Sequence, residues 1–329
     1  IGSLRGVTRS RDICYQIIAT SFRAIKYHEF HHKLMAVIYG QYQKVRELIL
    51  NHIYTGKVES ISRIIGLHSL LRIFNDRLRN TLFSVEDLLS QSVDYEEVEF
   101  NEISATFKVT SGRERTIIPE FWSESGEGPV LRDLMNRIQP DDVFWDIGAN
   151  IGQYSCFIGE IVDDGKQVCF EPHPPSAARL EENLELNQID GIVEPYVLSD
   201  SNGELYFDLR QNMPGGMGLI TEDKSGKNTI TVPEYTPETI IKEKEVPFPS
   251  VIKMDLGGEE WNVIQSMENI LSDKRCRLLL IEVHADPIED RGGSVEELYS
   301  MLESHGFSSQ VNINRHELGS AHQILFEKE

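Results

Sequence analysis

The stretch Asp146-Ile-Gly-Ala-Asn-Ile-Gly152 combines residue types that suit the binding of a small molecule. It follows an apolar run that predicts a strand over Val143–Ile147, and a predicted helix over Gly152–Val162 begins where it ends. Glycines at such a turn let a ligand approach the backbone, and a helix N-terminus offers free N–H groups with a partial positive charge. The stretch therefore predicts a ligand-binding turn, with tight packing of the chain as the alternative.

Glu171 ends the next predicted strand, 19 residues beyond Gly152, where a carboxylate can accept hydrogen bonds from both hydroxyls of a ribose. The dinucleotide pattern G-x-G-x-x-G is absent, because the next glycine after Gly148 is Gly152. Asp146 would repel a pyrophosphate but would attract an ammonium group. S-adenosylmethionine has a ribose and an amino acid end and no pyrophosphate, so it is the predicted cofactor.

The elements that position these residues alternate between strand and helix from Asp142 onward, which favours a parallel sheet covered on both faces. The last two predicted strands have no helix between them and should form a hairpin. The strands are predicted at Val143–Ile147, Gln167–Glu171, Val193–Leu198, Glu204–Leu209, Val251–Leu256, Arg277–Val283, Phe307–Ile313 and His322–Phe326, and the helices at Val130–Ile138, Gly152–Val162, Ser176–Asn187, Glu260–Leu271 and Val295–Ser304.

The preceding part of the chain has a different apolar period. Apolar residues at three- and four-residue spacing predict a helical extension over residues 1–92, which is followed by a predicted α/β domain over 93–329. Within that domain, residues 93–128 are predicted as a β segment and 129–329 as the Rossmann-like core. The β segment should contain short antiparallel strands over Tyr95–Ile118, with a turn at Ser111-Gly112.

Four stretches, in this order, resemble the FkbM-type methyltransferases, including those of salt-loving archaea. They are DVFWDIGANIGQY at 142–154, FEPHPPSAARLEENLELN at 170–187, LSDSNGELYF at 198–207 and VIKMDLGGEEWNVI at 251–264. The resemblance covers about Asp94 to the C-terminus. It implies S-adenosylmethionine as cofactor and the seven-stranded sheet of class I methyltransferases, whose last strand is antiparallel. It also implies methylation of hydroxyl groups of sugars, glycans and related metabolites.

The resemblance assigns each cofactor residue a role. Glu171 would hold the ribose with His173 nearby, and Asp255 would lie beside the reacting methyl group. The other implied cofactor residues are Asp146, Gly148, Asn150 and Gly152 on the methionine side and Ser199 and Asp200 at the adenine.

One position departs from the family pattern K-I-D-x-E-G-x-E. This chain has Gly257 where the first glutamate of the pattern is expected. If that glutamate orients the acceptor or the cofactor, activity is weakened or lost. A binding or regulatory protein that keeps the cofactor fold without turnover is therefore the alternative function, and an NAD-linked oxidoreductase is a third, which the glycine spacing disfavours.

A hydroxyl acceptor also needs a group that takes its proton. Asp255, Glu282 and His284 follow neighbouring strands and are the predicted catalytic residues, because strand ends meet at one edge of a parallel sheet. Their types would also suit a metal ion, but the sequence assigns none. A structural Glu282 and a solvated His284 are the alternatives. The glycine-rich loop at 212–218 is predicted to close over the acceptor.

The net charge of −21 argues against nucleic acid as a partner. Residues 1–80 contain 13 Lys and Arg against 5 Asp and Glu, which leaves 19 against 48 for the rest of the chain. The acidic part is typical of a solvated surface adapted to high salt. The basic helices predict docking on the acidic domain or on a second copy, with peripheral contact to a membrane surface as the alternative.

Further sequence features concern the setting of the protein. The 4 cysteines form no CxxC pair and no apolar run is long enough to span a membrane, so a reducing, cytoplasmic location is predicted, with membrane association through the basic helices left open. The numbering begins without a methionine, so the true start is expected to lie upstream. His28-Glu-Phe-His-His32 matches the zinc motif H-E-x-x-H, but without a third ligand we interpret it as a chance match.

Overall fold

A computed structural model provides the structure of the second part of the chain. The described residues all belong to one compact unit, 83–329. They are residues 94–110, 114, 118, 121–123, 126–210, 213–216, 218–313 and 321–328. The predicted helical extension over 1–92, its basic surface and the H-E-x-x-H motif lie outside the described residues and stay predictions.

The β segment begins with an antiparallel hairpin of β1 (Asp94–Phe100) and β2 (Ile103–Val109). Its turn lies at Asn101 and Glu102, which both have positive φ, at 51° and 70°. Two consecutive positive φ values match the twist of a two-residue hairpin, and asparagine tolerates them well. The predicted turn at Ser111-Gly112 lies outside the described residues. The predicted strand is wrong at Ile118, which is helical.

A seven-stranded sheet forms the centre of the domain, in the spatial order β12-β13-β11-β10-β3-β4-β5. The strands are β3 (Val143–Ile147), β4 (Lys166–Phe170), β5 (Gly191–Glu194), β10 (Val251–Met254), β11 (Leu278–His284), β12 (Phe307–Ile313) and β13 (Ala321–Lys328). Strands β11, β10, β3, β4 and β5 pair in parallel, whereas β13 is antiparallel to both of its neighbours. This order confirms the predicted class I methyltransferase sheet with its antiparallel last strand.

Helices cover both faces of this sheet. Neighbouring residues of one strand serve opposite faces, so Phe144 packs with the hairpin while Trp145 packs with Trp261 on the other side. The helices are α1 (Gly128–Met135), α2 (Gln153–Gly159), α3 (Pro174–Leu186), α4 (Pro237–Glu243), α5 (Glu260–Gln265), α6 (Glu268–Ser272), α7 (Ala285–Asp290) and α8 (Val295–Ser304).

A smaller four-stranded sheet lies beside the central one, in the order β6-β9-β7-β8. Its strands are β6 (Val197–Leu198), β7 (Gly203–Asp208), β8 (Leu219–Thr221) and β9 (Thr229–Tyr235). The single strand predicted over Val193–Leu198 is therefore wrong, because its two ends belong to different sheets. Pro195 separates them, since proline has no N–H to continue a ladder.

One predicted helix also divides. The helix expected over Glu260–Leu271 is two short helices, α5 and α6, which meet at Ser266 and Met267. The Ser266 hydroxyl donates to the carbonyl of Val263 at 2.7 Å. A serine that bonds back to the preceding turn in this way favours the end of a helix over its interior.

Candidate active site

A cavity of about 500 Å³ opens at the edge of the sheet where β3, β4, β10 and β11 end. Parallel strands bring their carboxyl ends to the same edge, and the crevice there is the usual ligand site of such sheets. The cavity is lined by the turn after β3, by the residues that follow β4 and β10, by the end of β11 and by parts of the smaller sheet. Its polar lining includes Glu127, Asn150, Tyr154, Glu171, Lys253, Asp255, Glu259, Glu282, His284, Asp290 and Arg291.

The turn after β3 runs directly against the end of β10. Gly148 has a φ of 77°, and a Cβ atom at this position would lie 2.0 Å from the carbonyl oxygen of Asp255. Gly152, with a φ of 84°, precedes α2, and its Cβ would lie 2.6 Å from Leu180 Cδ1. Both glycines are therefore required for close packing of the turn, and of the two only Gly148 lines the cavity, where it presents bare backbone.

Glu171 is buried beneath this turn and lines the cavity. Its two carboxylate oxygens accept hydrogen bonds from the backbone N–H groups of Asn150 and His173, each at 2.8 Å. Burial raises the pKa of Glu171 to about 7, against the lowering effect of these two donors. Each oxygen keeps a second lone pair, so the carboxylate is able to accept the two hydroxyls of a ribose as well.

Asp146 has a different role from the one expected. It is fully buried and does not line the cavity. Its register partner on β10 is Lys253, whose ammonium lies 3.2 Å from Asp146 Oδ1, while Ser155 donates to Oδ2 at 2.6 Å. Lys253 also donates to the carbonyl of Gly148 at 2.9 Å. The ammonium group that Asp146 was predicted to attract is therefore one from the protein itself, and this pair fixes the turn.

Asn150 presents its side chain to the cavity. Its Oδ1 atom is buried and has no hydrogen-bond partner among the described residues. A buried acceptor without a donor is rare in native proteins, which indicates that a ligand donor belongs there. With Glu171 for the ribose, the bare Gly148 backbone and this acceptor for an ammonium group, the lining fits S-adenosylmethionine.

Besides Asp146 and Gly152, three predicted cofactor residues lie outside the cavity lining. His173 is buried as the N-cap of α3, where its Nδ1 accepts from the backbone N–H of Ser176 at 3.3 Å. Ser199 and Asp200 follow β6 and bond to each other at 3.3 Å, one step beyond Leu198, which does line the cavity. Their proposed contacts with ribose and adenine stay predictions.

The predicted catalytic residues do come together. Asp255, Glu282 and His284 all line the same end of the cavity. Burial, together with the nearby Asp255 carboxylate, raises the pKa of Glu282 to about 8. Hydrogen bonding to the buried Glu260 raises the pKa of His284 to about 9, with His284 Nδ1 at 3.1 Å from Glu260 Oε1. Without a bound cation, His284 is therefore mainly protonated near neutral pH, and Glu282 is mainly a neutral carboxyl group.

Sequence reasoning missed a second set of lining residues. Tyr154 donates to Glu127 Oε2, and Gln323 donates to the same oxygen at 2.8 Å. Burial raises the pKa of Tyr154 well above its usual value. Lys253 was also unassigned, although a lysine inside the apolar run Val-Ile-Lys-Met indicates a buried charge that needs a partner.

Comparison with known proteins identifies the family of this part of the chain. The sequence model of the methyltransferase FkbM domain matches residues 146–309. This part of the chain belongs to the FkbM methyltransferase family. The chain is accordingly a methyltransferase that uses S-adenosylmethionine as its cofactor.

Individual FkbM relatives match over the same region. The hexuronic acid methyltransferase AglP of Haloferax volcanii is 29% identical over 206 residues, which cover 61% of this chain and 79% of that protein. The 31-O-demethyl-FK506 methyltransferase FkbM of Streptomyces tacrolimicus is 26% identical over 52% of this chain and 75% of that protein. The FkbM methyltransferase structure from Methylobacillus flagellatus superposes with a TM-score of 0.40 and 13% identity over 58% of this chain and 44% of that one.

The structure also bears on membrane contact. Among the described residues, no helix combines the length and the apolar character that a membrane crossing requires. Peripheral contact through the basic residues before position 81 is a separate prediction, because those residues lie outside the described part of the chain.

Proposed function

We propose that this FkbM methyltransferase transfers the methyl group to a hydroxyl of a sugar, a glycan or a related metabolite. The observation that supports this proposal most directly is the composition of the cavity. One end has the ribose acceptor Glu171 and the bare backbone at Gly148, and the other end has Asp255 and Glu282. A hydroxyl that approaches a cofactor held at the first end meets the Asp255 carboxylate, which is placed to take its proton, at the second.

S-adenosylmethionine supplies an electrophilic methyl group on a sulfonium that leaves as a neutral thioether. The acceptor oxygen would take the methyl group that the bound cofactor supplies, and its proton would pass to Asp255, because Glu282, with a pKa of about 8, already holds a proton near neutral pH. Orientation of the two reactants is the main task of the protein in such a displacement. The protonated His284, held by Glu260, and the buried Lys253 balance the negative charge that Asp255 brings to the cavity.

A hexuronic acid or a glycan that contains one is the first acceptor class to test, since a hexuronic acid methyltransferase is among the relatives. Such a sugar has both hydroxyls and a carboxylate. The cavity is lined by six carboxylates, of Glu127, Glu171, Asp255, Glu259, Glu282 and Asp290. Repulsion from these groups favours an orientation in which a hydroxyl faces Asp255 and the sugar carboxylate points towards Arg291 or the solvent.

The decisive experiment measures transfer of a labelled methyl group from S-adenosylmethionine to hexuronic acid glycans and to matched neutral glycans. Asp255→Asn should abolish transfer while the affinity for S-adenosylhomocysteine stays within about threefold of wild type, since Asp255 faces the acceptor end. Labelled product resistant to mild alkali would be an ether and would support hydroxyl transfer, whereas alkali-labile product would be a methyl ester and would refute it.

The alternative of a cofactor-binding protein without turnover rests on Gly257. This residue lines the cavity, and the nearest atom to a Cβ placed there is Leu219 Cδ2, at 4.0 Å. The glutamate of the family pattern would therefore have space in this chain, although the φ of 61° at this position would strain its backbone. Binding of S-adenosylhomocysteine with no transfer by wild type, together with transfer by Gly257→Glu, would support the alternative. Calorimetry with NAD, for which we expect no binding, tests the oxidoreductase reading.

A further inference from the structure

Three side chains of metal-ligand type meet beside the acceptor end of the cavity, two of them in its lining and the third, Glu260, buried behind it. Asp255 follows β10, Glu260 begins α5 and His284 ends β11. One potential ligand atom from each lies within 4.8 Å of the others. Three separate elements thus converge on a space the size of one coordinated ion. The sequence prediction had considered Glu282 in place of Glu260 for such a group.

The surroundings of Glu260 provide an independent observation. This residue is completely buried. Its Oε1 atom accepts from the backbone N–H groups of Leu256, at 2.9 Å, and Gly258, at 3.2 Å, and lies 3.1 Å from His284 Nδ1. Its Oε2 atom is buried without a hydrogen-bond partner among the described residues. A carboxylate oxygen removed from water needs a donor or a cation in its place, so Oε2 points to a missing ligand.

We propose that Asp255, Glu260 and His284 bind one divalent cation, Mn²⁺ or Mg²⁺. Carboxylate oxygens suit both ions, and the single imidazole favours Mn²⁺. Three protein ligands leave coordination positions for water and for an acceptor hydroxyl, whose proton a divalent cation makes easier to remove. The ion site stands on the geometry alone, whereas its role at the acceptor rests on the proposed function.

The test measures Mn²⁺ binding to the full chain after chelator treatment. Electron paramagnetic resonance reports the concentration of free Mn²⁺, from which the bound amount follows. Wild type should bind one Mn²⁺ per chain at this site. Asp255→Asn and Glu260→Gln should each weaken binding by at least about tenfold, since each removes an anionic ligand. Glu268→Gln is the matched control, because Glu268 is an exposed acid outside both the cluster and the cavity lining and should leave the Mn²⁺ affinity unchanged. Melting curves show which variants are folded. Asp255→Asn is the decisive variant, because Glu260→Gln also changes the group that accepts hydrogen bonds from the backbone of Leu256 and Gly258.

Two binding results would overturn the ion site. One is the absence of bound Mn²⁺ at millimolar concentration. The other is binding that survives Asp255→Asn and disappears on joint replacement of His28 and His32 by alanine, which would place the ion at the H-E-x-x-H motif. Full-rate methyl transfer in excess chelator would overturn the role at the acceptor but leave the proposed transfer intact. Bound Mn²⁺ without transfer to any hydroxyl acceptor would instead count against the proposed function and uphold the ion site.

Discussion

Replacement of Gly148 by alanine tests the central contact of the cofactor turn. The new Cβ would lie 2.0 Å from the carbonyl oxygen of Asp255, far inside contact distance. The turn cannot retreat easily, because the Gly148 N–H donates to Phe170 O at 3.0 Å and its carbonyl accepts from Lys253 at 2.9 Å. The substitution must therefore displace either the turn or the end of β10.

Gly257→Ala is the matched control. Gly257 also has a positive φ, of 61°, but its nearest atom to a new Cβ is 4.0 Å away. Both variants lose about 1–2 kcal/mol to the left-handed backbone of an alanine. Only Gly148→Ala adds the overlap, typically about 1–3 kcal/mol for an overpacked site. Gly148→Ala should thus be less stable than Gly257→Ala by about 2 kcal/mol.

Thermal and urea unfolding measure this difference. At about 2–4 °C per kcal/mol for a unit of this size, Gly148→Ala should melt roughly 4–8 °C below Gly257→Ala. Calorimetry should show that Gly148→Ala binds S-adenosylhomocysteine at least about tenfold more weakly than Gly257→Ala does, a difference of about 1.4 kcal/mol in binding free energy. Equal melting temperatures and equal affinities in the two variants would refute the close approach of the turn to β10 and its place at the cofactor.

Three other predictions concern single side chains. Since burial raises the pKa of Glu171 to about 7 and the ionised carboxylate is the better ribose acceptor, affinity for S-adenosylhomocysteine should increase as the pH rises through 7. Calorimetry should show about a tenfold gain between pH 6 and 8 that Glu171→Gln removes, and an identical pH profile in the variant would contradict it. Asp142→Ala removes the partner of Arg277 at the opposite edge of the sheet, so it should lower the free energy of unfolding by roughly 3 kcal/mol with cofactor affinity unchanged. Tyr154→Phe takes one donor from the buried Glu127 and should lower stability in urea by about 1–2 kcal/mol; unaltered stability would argue against that hydrogen bond.

Strand and helix positions near the cofactor were predictable because local pattern determines them. Strand β3 and helix α8 have the predicted bounds, and the terminal hairpin was recognised from the missing helix between its strands. Strands β8 and β9 and helix α4 were missed. The two strands belong to the smaller sheet, which is only partly buried, so burial does not impose a regular apolar pattern on its strands, and helix α4 follows β9 directly.

The candidate site was predictable in its residue types and less so in their partners. Asp255, Glu282 and His284 converge because strand ends in a parallel sheet always do. The pairing of Asp146 with Lys253 depends instead on the register between β3 and β10, more than a hundred residues apart in the chain. Nothing local to either residue indicates that register.

The sequence by itself determined the cofactor turn, the acid after β4 and the order of strands and helices, because each depends on neighbours within a few residues. It also determined the acidity of the domain. Only the tertiary structure decided which acids act together. Glu260 lies beside His284 through the packing of α5 against β11, and its second oxygen is left without a partner by that packing. Such long-range contacts set burial, and burial decides whether a carboxylate is a solvated surface charge or a group that needs a ligand.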